Sequence, residues 1–457
     1  TRLVSVFATA RLLTTQRARA ATLHRGSKET ILSESRDVAK IKKVAAPHKC
    51  RQKLSCCLHF FFRIPSFSVI IKVGDAHGGF FYHQIDFFDH WDSFQLKYPN
   101  IRPVVSYEVE RVLGCGDPRN GFALYECPRC FRKRFVPFRC HSRFCSTCGS
   151  AYQDDRAASI EEKLINCRHR HVVFTIAEEL RPYFRKYRNL LHVLFRSAAQ
   201  VIQDWALAQN KKEQFQFGMV CVLHTFGRDL KWNPHIHMLL TEGACGKISP
   251  WKSFHYFPYV MLRKRWMTTL LYNLRQEILS SNLSDTHFLN LVNRFYRIYK
   301  DGFYVHAPKS DFNSASAVTK YIVRYIGRPA MAQSRIINYD GSRVTFWYQR
   351  HEDNEKVVEC VPAHDFIKRL IIHIPEKGFH MLRYYGLYAQ PFSKNTHLFR
   401  RIHPDKKSAR KLLQRWAFRI SVSFGIDPLK CHCGTYMHFI ETYYPFSPAH
   451  SPPFMVQ

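Results

Sequence analysis

The chain has 457 residues, of which 46% are apolar, so it can bury a core and form two or three domains. It carries 69 Lys and Arg against 35 Asp and Glu, a formal net charge of +34, which predicts a polyanionic partner. Nucleic acid fits better than a membrane surface, because the most apolar stretch, residues 54–73, is broken by Arg63, Pro65 and Lys72.

Residues 1–83 show no hydrophobic periodicity that would predict helices or strands. The first 28 residues contain arginines and no acid, a composition also typical of a transit peptide. We expect this segment to be a disordered or non-native extension and assign it no function. Order is expected from residue 84, with a mixed helical segment that ends in a short helix over 107–113.

A cysteine-rich segment follows over residues 115–149. Two C-x-x-C pairs, Cys127 with Cys130 and Cys145 with Cys148, are separated by 14 residues and predict one structural zinc site of four thiolates. Cys115 and Cys140 lie near enough to replace or join these ligands, and buried free cysteines are the alternative. The 15 cysteines are an odd number and favour metal thiolates over a disulfide framework. Six basic residues of the segment are expected to contact the phosphate backbone of DNA: Arg129, Arg132, Lys133, Arg134, Arg139 and Arg143.

The middle of the chain alternates between helical and strand patterns. We predict an amphipathic helix over 151–166, a buried strand over 171–176 and a long helix that begins near Leu191. Strands over 217–226 and 235–240 form an antiparallel hairpin around a turn at 227–234. A basic helix over 259–279 and a short strand at 302–306 come next.

His235 and His237 stand two residues apart in the second strand of this hairpin. Side chains at i and i+2 share one face of a strand, so both imidazoles can bind one divalent ion. Satisfied core or surface histidines would explain the same pattern. A third ligand is needed, and His224, Glu178 and Glu179 are the candidates. With phosphate oxygens completing the shell, Mg²⁺ or Mn²⁺ is expected, and Zn²⁺ is also compatible.

Tyr321 and Tyr325 are one turn apart on a helix predicted over 315–326. An isolated pair of this kind usually packs into a core. Here the pair is surrounded by Lys320, Arg324 and Arg328, and the chain also offers a metal site. A phenol oxygen can attack phosphorus when cations stabilise the phenolate, which makes the two tyrosines candidate nucleophiles.

The last part of the chain is predicted as a strand over 343–349 and helices over 364–373 and 405–423. Cys431-x-Cys433-Gly434, with His432 and His438 close by, is too short to predict a metal site by itself.

In order and spacing these motifs resemble the zinc-finger-bearing, two-tyrosine rolling-circle transposases of bacterial insertion sequences, the insertion sequence ninety-one type of the HUH endonuclease superfamily. The resemblance spans residues 84–440 and is carried by these segments: Cys115-Gly116, CPRC at 127–130, FCSTC at 144–148, HVVFTI at 171–176, LHTFGRDLKWNPHIHMLL at 223–240, YIVRY at 321–325, RYYGLYA at 383–389 and DPLKCHCG at 427–434.

The resemblance implies an α+β fold, in which a small zinc module precedes a nuclease core of a small antiparallel sheet flanked by helices. His235 and His237 would bind the catalytic ion. Tyr321 and Tyr325 would be paired nucleophiles, and one would keep the 5′ phosphate of a cut single strand. The implied partner is single-stranded DNA or transposon ends on the bacterial nucleoid in the cytoplasm.

We therefore expect four regions: an unassigned extension (1–83), a zinc-binding DNA-contact domain (84–150), a catalytic core (151–350) and a basic helical region (351–457). Two other functions stay open. A zinc-dependent DNA-binding protein without activity, such as a decayed transposase copy, needs only the charge and the cysteines. A hydrolytic metalloenzyme would cut DNA without a covalent adduct.

Overall fold

The computed structural model describes residues 82–145, 167–280, 286–307, 330–350, 353–389 and 427–444, with isolated positions within 148–165 and 417–425. The elements below all belong to one compact unit, Asp75–Ile420 with Asp427–Gln457. Residues 1–81, the tyrosine helix expected over 315–326 and most of the helices expected over 151–166 and 405–423 lie outside the described residues.

The helices and strands follow one another without a repeat. The helices are α1 (Tyr82–Lys97), α2 (Pro103–Leu113), α3 (Arg181–Lys186), α4 (Leu191–Gln209), α5 (Tyr259–Ser280), α6 (Thr286–Ile298) and α7 (Ala363–Ile371). The strands are β1 (Phe122–Glu126), β2 (Lys133–Pro137), β3 (His169–Phe174), β4 (Gln216–Phe226), β5 (Trp232–Cys245), β6 (Lys252–Ser253), β7 (Val305–His306), β8 (Ile336–Tyr339), β9 (Arg343–Gln349), β10 (Lys356–Pro362), β11 (Leu382–Gly386) and β12 (His438–Tyr443).

The central sheet has six antiparallel strands in the order β11-β4-β5-β3-β7, and β6 pairs with the far end of β5. Its middle is the long hairpin of β4 and β5, which the alternating pattern of the sequence predicted. The fold is therefore α+β, with a small antiparallel sheet flanked by helices, as expected. No described helix is long and apolar enough to cross a membrane.

One face of the sheet carries the main hydrophobic core. Ile236, Met238 and Leu240 alternate along β5 and are fully buried, because i and i+2 side chains share a face. Helices α4 and α5 cover this face with apolar residues at helical spacing, among them Phe195 and Trp266. At roughly 25 cal/mol per Å² of buried apolar area, this burial is the main force that packs the helices against the sheet.

The opposite face is divided between apolar and histidine side chains. At one end, Val220, Val222 and Leu239 pack with Ile160 and Tyr388. At the other end, the same face carries histidines from β3, β4 and β5. The face without the main core is thus the one on which a polar site can form.

Two smaller sheets accompany the central sheet. Strands β8, β9 and β10 form a sheet that shares a hydrophobic core with α1, α2 and α7. Strands β2, β1 and β12 form the other, and β12 comes from the C-terminal part of the chain. The sequence did not predict β12, because its residues HFIETY do not alternate strictly between apolar and polar side chains.

Two buried histidines, His169 and His373, predict how stability depends on pH. Burial lowers the pKa of His169 and of His373 to about 4, from 6.5. Between these values the unfolded chain binds a proton on each imidazole and the folded chain does not. The free energy of unfolding should therefore fall as the pH drops from about 6.5 to about 4, by up to about 1.4 kcal/mol per pH unit for each histidine.

Urea unfolding at a series of pH values measures this loss, with His373→Gln as the test variant. The variant should show a shallower decline between pH 6.5 and pH 4 than the unmodified chain. Equal slopes of unfolding free energy against pH would mean that folding does not lower the pKa of His373.

Candidate active site

A bulge in the central hairpin aligns three histidines on one face of the sheet. In the register of β4 and β5, His224 lies opposite His235, whereas Phe226 lies opposite Trp232, so β5 has one extra residue between the two pairs. Pro234, which cannot donate to a neighbouring strand, lies in this bulge.

The ligand atoms of His224, His235 and His237 all lie within 4.8 Å of one another. The Nε2 atoms of His235 and His237 are 3.0 Å apart. Two nitrogen ligands in adjacent positions of an octahedral site are also about 3.0 Å apart, for metal–nitrogen distances of about 2.1 Å. The three imidazoles therefore fit one divalent ion.

The outer nitrogens of both imidazoles on β5 have partners. Nδ1 of His235 donates to the carbonyl oxygen of Asn233 at 2.7 Å, which leaves Nε2 with a lone pair. Nδ1 of His237 lies 2.8 Å from Nε2 of His171 on β3. A divalent ion held by the two Nε2 atoms would leave the proton of His237 on Nδ1, which would then donate a hydrogen bond to Nε2 of His171. Such outer partners orient metal-binding histidines.

The electrostatics of the site favour neutral imidazoles, the form that binds metal. Burial holds the pKa of His237 well below 6.5, and the neighbouring charges of His224, His235 and His171 lower it further. Burial also lowers the pKa of His171 to about 4. The site is therefore ready to accept a cation at neutral pH without releasing protons from these two rings.

A cleft of about 780 Å³ opens beside His224. His224 lines one side, and α2 and the loop after Cys140 supply Tyr107, Arg143 and Phe144 on another. Close to the site, the side-chain oxygen of Asn233 is buried and has no hydrogen-bond partner among the described residues.

The cysteines form two separate groups. The ligand atoms of Cys115, Cys140, Cys145 and Cys148 lie within 4.8 Å of one another, and so do those of Cys127, Cys130, Cys431 and Cys433. The prediction that the two C-x-x-C pairs share one ion is therefore wrong. β1 and β2 direct Cys127 and Cys130 toward the C-terminal turn, whereas Cys145 and Cys148 meet Cys115, just after α2, and Cys140, in the loop after β2.

Comparison with known proteins agrees with this geometry. A family model described as "Transposase zinc-binding domain" matches residues 86–176, and one described as "Putative transposase" matches residues 218–396. The transposase for insertion sequence element IS801 of Pseudomonas savastanoi pv. phaseolicola is 31% identical over 307 residues, which cover 64% of this chain and 72% of the relative. The chain belongs to the insertion sequence ninety-one type of transposases.

A second relative supports the assignment of this transposase. The "Putative transposase y4qJ" of Sinorhizobium fredii (strain NBRC 101917 / NGR234) is 28% identical over 276 residues, which cover 57% of this chain and 68% of the relative. No solved structure matches the chain significantly. The match to a transposase zinc-binding domain, together with cysteine groups that could hold a metal ion, supports Zn²⁺ as a metal of this transposase.

The structure describes some of the other predicted site residues of the transposase and not others. Glu178 and Glu179 do not belong to the group of converging histidines: Glu178 pairs with Arg181, and Glu179 pairs with Arg294. The paired tyrosines and the three cations around them lie outside the described residues, namely Tyr321, Tyr325, Lys320, Arg324 and Arg328. Their roles stay predictions.

The basic residues predicted to contact DNA differ in their exposure and in their contacts. Four are exposed: Arg129, Arg132, Lys133 and Arg139. Arg143 faces the cleft and lies over the ring of Tyr152. The guanidinium of Arg134 donates to the carbonyl oxygen of Pro428 and therefore holds the C-terminal segment.

Sequence reasoning missed His171 as a neighbour of the site. The signal was present, because His169-x-His171 places two polar rings on one face of a strand that is otherwise buried. The pairing of β3 with β5, which puts His171 beside His237, is a long-range contact that the pattern within β3 does not contain.

The geometry predicts how substitutions change metal affinity. His224→Ala removes a ligand and should weaken Mn²⁺ binding by more than about 100-fold. His171→Phe keeps a ring but removes the hydrogen bond to His237, and should weaken binding about 10- to 100-fold. Isothermal titration calorimetry with Mn²⁺ measures both effects.

The matched control is His192→Ala, a partly exposed histidine on α4 that pairs with Glu277. It should leave the affinity unchanged. Equal affinities for His224→Ala and His192→Ala would remove His224 from the ligand set.

Proposed function

We propose that this transposase cuts and rejoins single-stranded DNA at the site formed by His224, His235 and His237, with Tyr321 and Tyr325 as nucleophiles. The observation that carries the proposal is the convergence of three imidazoles within 4.8 Å on the face of the central sheet opposite the main core. Mg²⁺ or Mn²⁺ is the proposed ion, because phosphate oxygens complete its preferred shell.

The ends of the tyrosine segment support this placement. Ala307, the last described residue before the segment, follows His306 on β7. His306 pairs with Val173, which pairs with His237 on its other side. Two strand spacings separate the backbones of His306 and His237 by about 10 Å. At the far end of the segment, Ala330 lines the same cleft as His224.

Buried polar contacts fix the start of the segment. The carbonyl oxygen of Ala307 accepts hydrogen bonds from Arg170 and from the hydroxyl of Tyr259. Arg170 is 3% exposed and pairs with Glu242, which is 4% exposed, at 2.7 Å. Removing one partner of such a pair costs about 3–5 kcal/mol, so Arg170 is held firmly in place. The segment therefore leaves the sheet from a rigid point.

The chemistry is a balanced exchange of phosphate esters. The phenol oxygen of one tyrosine bonds to phosphorus, the bond to the 3′ oxygen breaks, and the 5′ phosphate stays on the tyrosine. A 3′ hydroxyl of another strand then attacks the phosphotyrosine and releases the phenol. The bond energy is conserved, so joining needs no ATP. The bound ion would stabilise the charge that develops on the phosphate oxygens.

The cleft gives the DNA a path to the histidines. Both cations and aromatic rings line it, together with the carboxylates of Glu108 and Glu376; the cations and rings include Tyr107, Arg111, Arg143, Phe144 and Lys377. Cations contact the phosphates of a single strand and aromatic rings stack on its bases.

Three further expectations are part of this proposal. The partner is single-stranded DNA or transposon ends, and the transposase acts on the bacterial nucleoid in the cytoplasm. The chain divides into domains near residues 84, 150 and 350.

The nucleophiles are tested by replacing both tyrosines. Tyr321→Phe with Tyr325→Phe should abolish the covalent protein–DNA adduct that forms with a single-stranded oligonucleotide and Mn²⁺, because phenylalanine has no oxygen to attack phosphorus. Denaturing electrophoresis with a labelled oligonucleotide measures the adduct. Tyr296→Phe, an exposed tyrosine on α6, is the control and should keep full adduct formation.

The outcomes separate the alternative functions. An adduct that persists in the double variant refutes the assignment of the nucleophiles. Multiple-turnover cutting without an adduct in the unmodified protein would indicate a hydrolytic metalloenzyme. DNA binding without any metal-dependent cutting would indicate a non-catalytic binder.

The path of the DNA predicts the effect of a single charge. Lys377→Ala removes an exposed cation from the cleft and should lower the slope of log affinity against log salt by about 0.7, the value for one phosphate contact on a single strand. Fluorescence anisotropy at several salt concentrations measures this slope. Lys211→Ala, an exposed lysine after α4 that does not line the cleft, should leave the slope unchanged, and equal slopes for both variants would remove Lys377 from the path.

A further inference from the structure

We propose that Cys127, Cys130, Cys431 and Cys433 form a second structural zinc site, which fastens the C-terminal segment to the zinc-binding domain. Both family models end before Cys431, at residues 176 and 396, so neither contains the complete ligand set. The proposal does not depend on the proposed function, because it concerns only metal binding and folding.

The sulfur atoms have the separations of a tetrahedral thiolate site. Cys127 Sγ lies 3.5 Å from Cys433 Sγ, and Cys130 Sγ lies 3.5 Å from Cys431 Sγ. The edge of a tetrahedron with Zn–S bonds of about 2.3 Å is about 3.8 Å. All four are free cysteines, and four converging sulfurs match the ligand set of structural zinc.

Each pair of cysteines sits on a tight turn that directs both sulfurs inward. The N–H of Phe131 donates to the carbonyl oxygen of Cys127, and Phe131 has a φ of 55°. The N–H of Gly434 donates to the carbonyl oxygen of Cys431, and Gly434 has a φ of 87°. The left-handed backbone at both positions closes the turns, and glycine permits it without strain.

Strand pairing brings these turns together. β12 pairs with β1 from Phe122 opposite Tyr443 to Glu126 opposite His438, and their ends lead directly into the two turns. Aromatic contacts hold the strands in register, since the rings of Phe122 and Tyr443 are 4.8 Å apart. Cys127 is fully buried and Cys431 is 3% exposed, whereas Cys433 is partly exposed and Cys130 is exposed, so the group lies at the edge of the module with two of its four ligands inside.

The two cysteine groups share no residue, so each can bind its own ion. Cys130 and Cys431 are 301 positions apart, and a metal that joins them closes a very long loop of the chain. Closing a loop of this length restricts the unfolded chain and therefore stabilises the folded one. The same turn presents Arg129 and Arg132 to solvent, so the zinc would also fix two cations expected to contact DNA.

Zinc content tests the proposal. The purified protein with the histidine site removed by His235→Ala and His237→Ala, stripped with chelator and reloaded with Zn²⁺, should contain two equivalents by inductively coupled plasma mass spectrometry. Added to this protein, Cys431→Ser with Cys433→Ser should lower the content to one, and so should Cys145→Ser with Cys148→Ser. The control Cys360→Ser, an exposed cysteine outside both groups, should keep two.

Alkylation of the unmodified protein guards against a variant that fails to fold. With zinc bound, Cys431 and Cys433 should resist iodoacetamide as strongly as Cys145 and Cys148, and chelator should expose all four. A single zinc equivalent in the protein with His235→Ala and His237→Ala would overturn the proposal. So would a content of two when Cys431→Ser and Cys433→Ser are added to it, or rapid alkylation of Cys431 with zinc present.

Discussion

The antiparallel register of β4 and β5 is the constraint on which the candidate active site depends. One extra residue in β5 forms a bulge, and the pairs on its far side bring His224 opposite His235. A shift of one residue would send His235 and His237 to the opposite face, into the apolar core. The core residues Ile236 and Met238 oppose that shift, because it would expose them to water. Hydrophobic burial thus sets the position of the histidines.

The polar half of the sheet is organised around that register. His171 reaches His237 because β3 pairs with β5 on the side opposite β4. The edge strand β7 then leads the chain toward the tyrosine segment, and Arg170 and Glu242 hold its end from within the core. Rigid strands therefore carry the proposed metal ligands, and the proposed nucleophiles follow on a separate segment.

Local patterns predicted what local patterns determine. Alternation gave the β4–β5 hairpin, the spacing of His235 and His237 gave their common face, and helical spacing gave α4 and α5 within a few residues. Contacts between residues far apart in the chain could not be predicted from these local patterns. Cys127 and Cys130 were paired with the nearer C-x-x-C, but their partners lie on a turn 301 and 306 positions away. The order of cysteines along the chain does not record which of them meet in the sheet.

The central claim is that three imidazoles bind one divalent ion on the face of the central sheet opposite the main core. Pulsed electron paramagnetic resonance of Mn²⁺ bound to the chain counts the nitrogen ligands, with ¹⁵N-labelled histidine to identify them. The account predicts couplings to three histidine nitrogens, and to two in the variant that lacks the His224 imidazole. A bound Mn²⁺ without histidine couplings would contradict it.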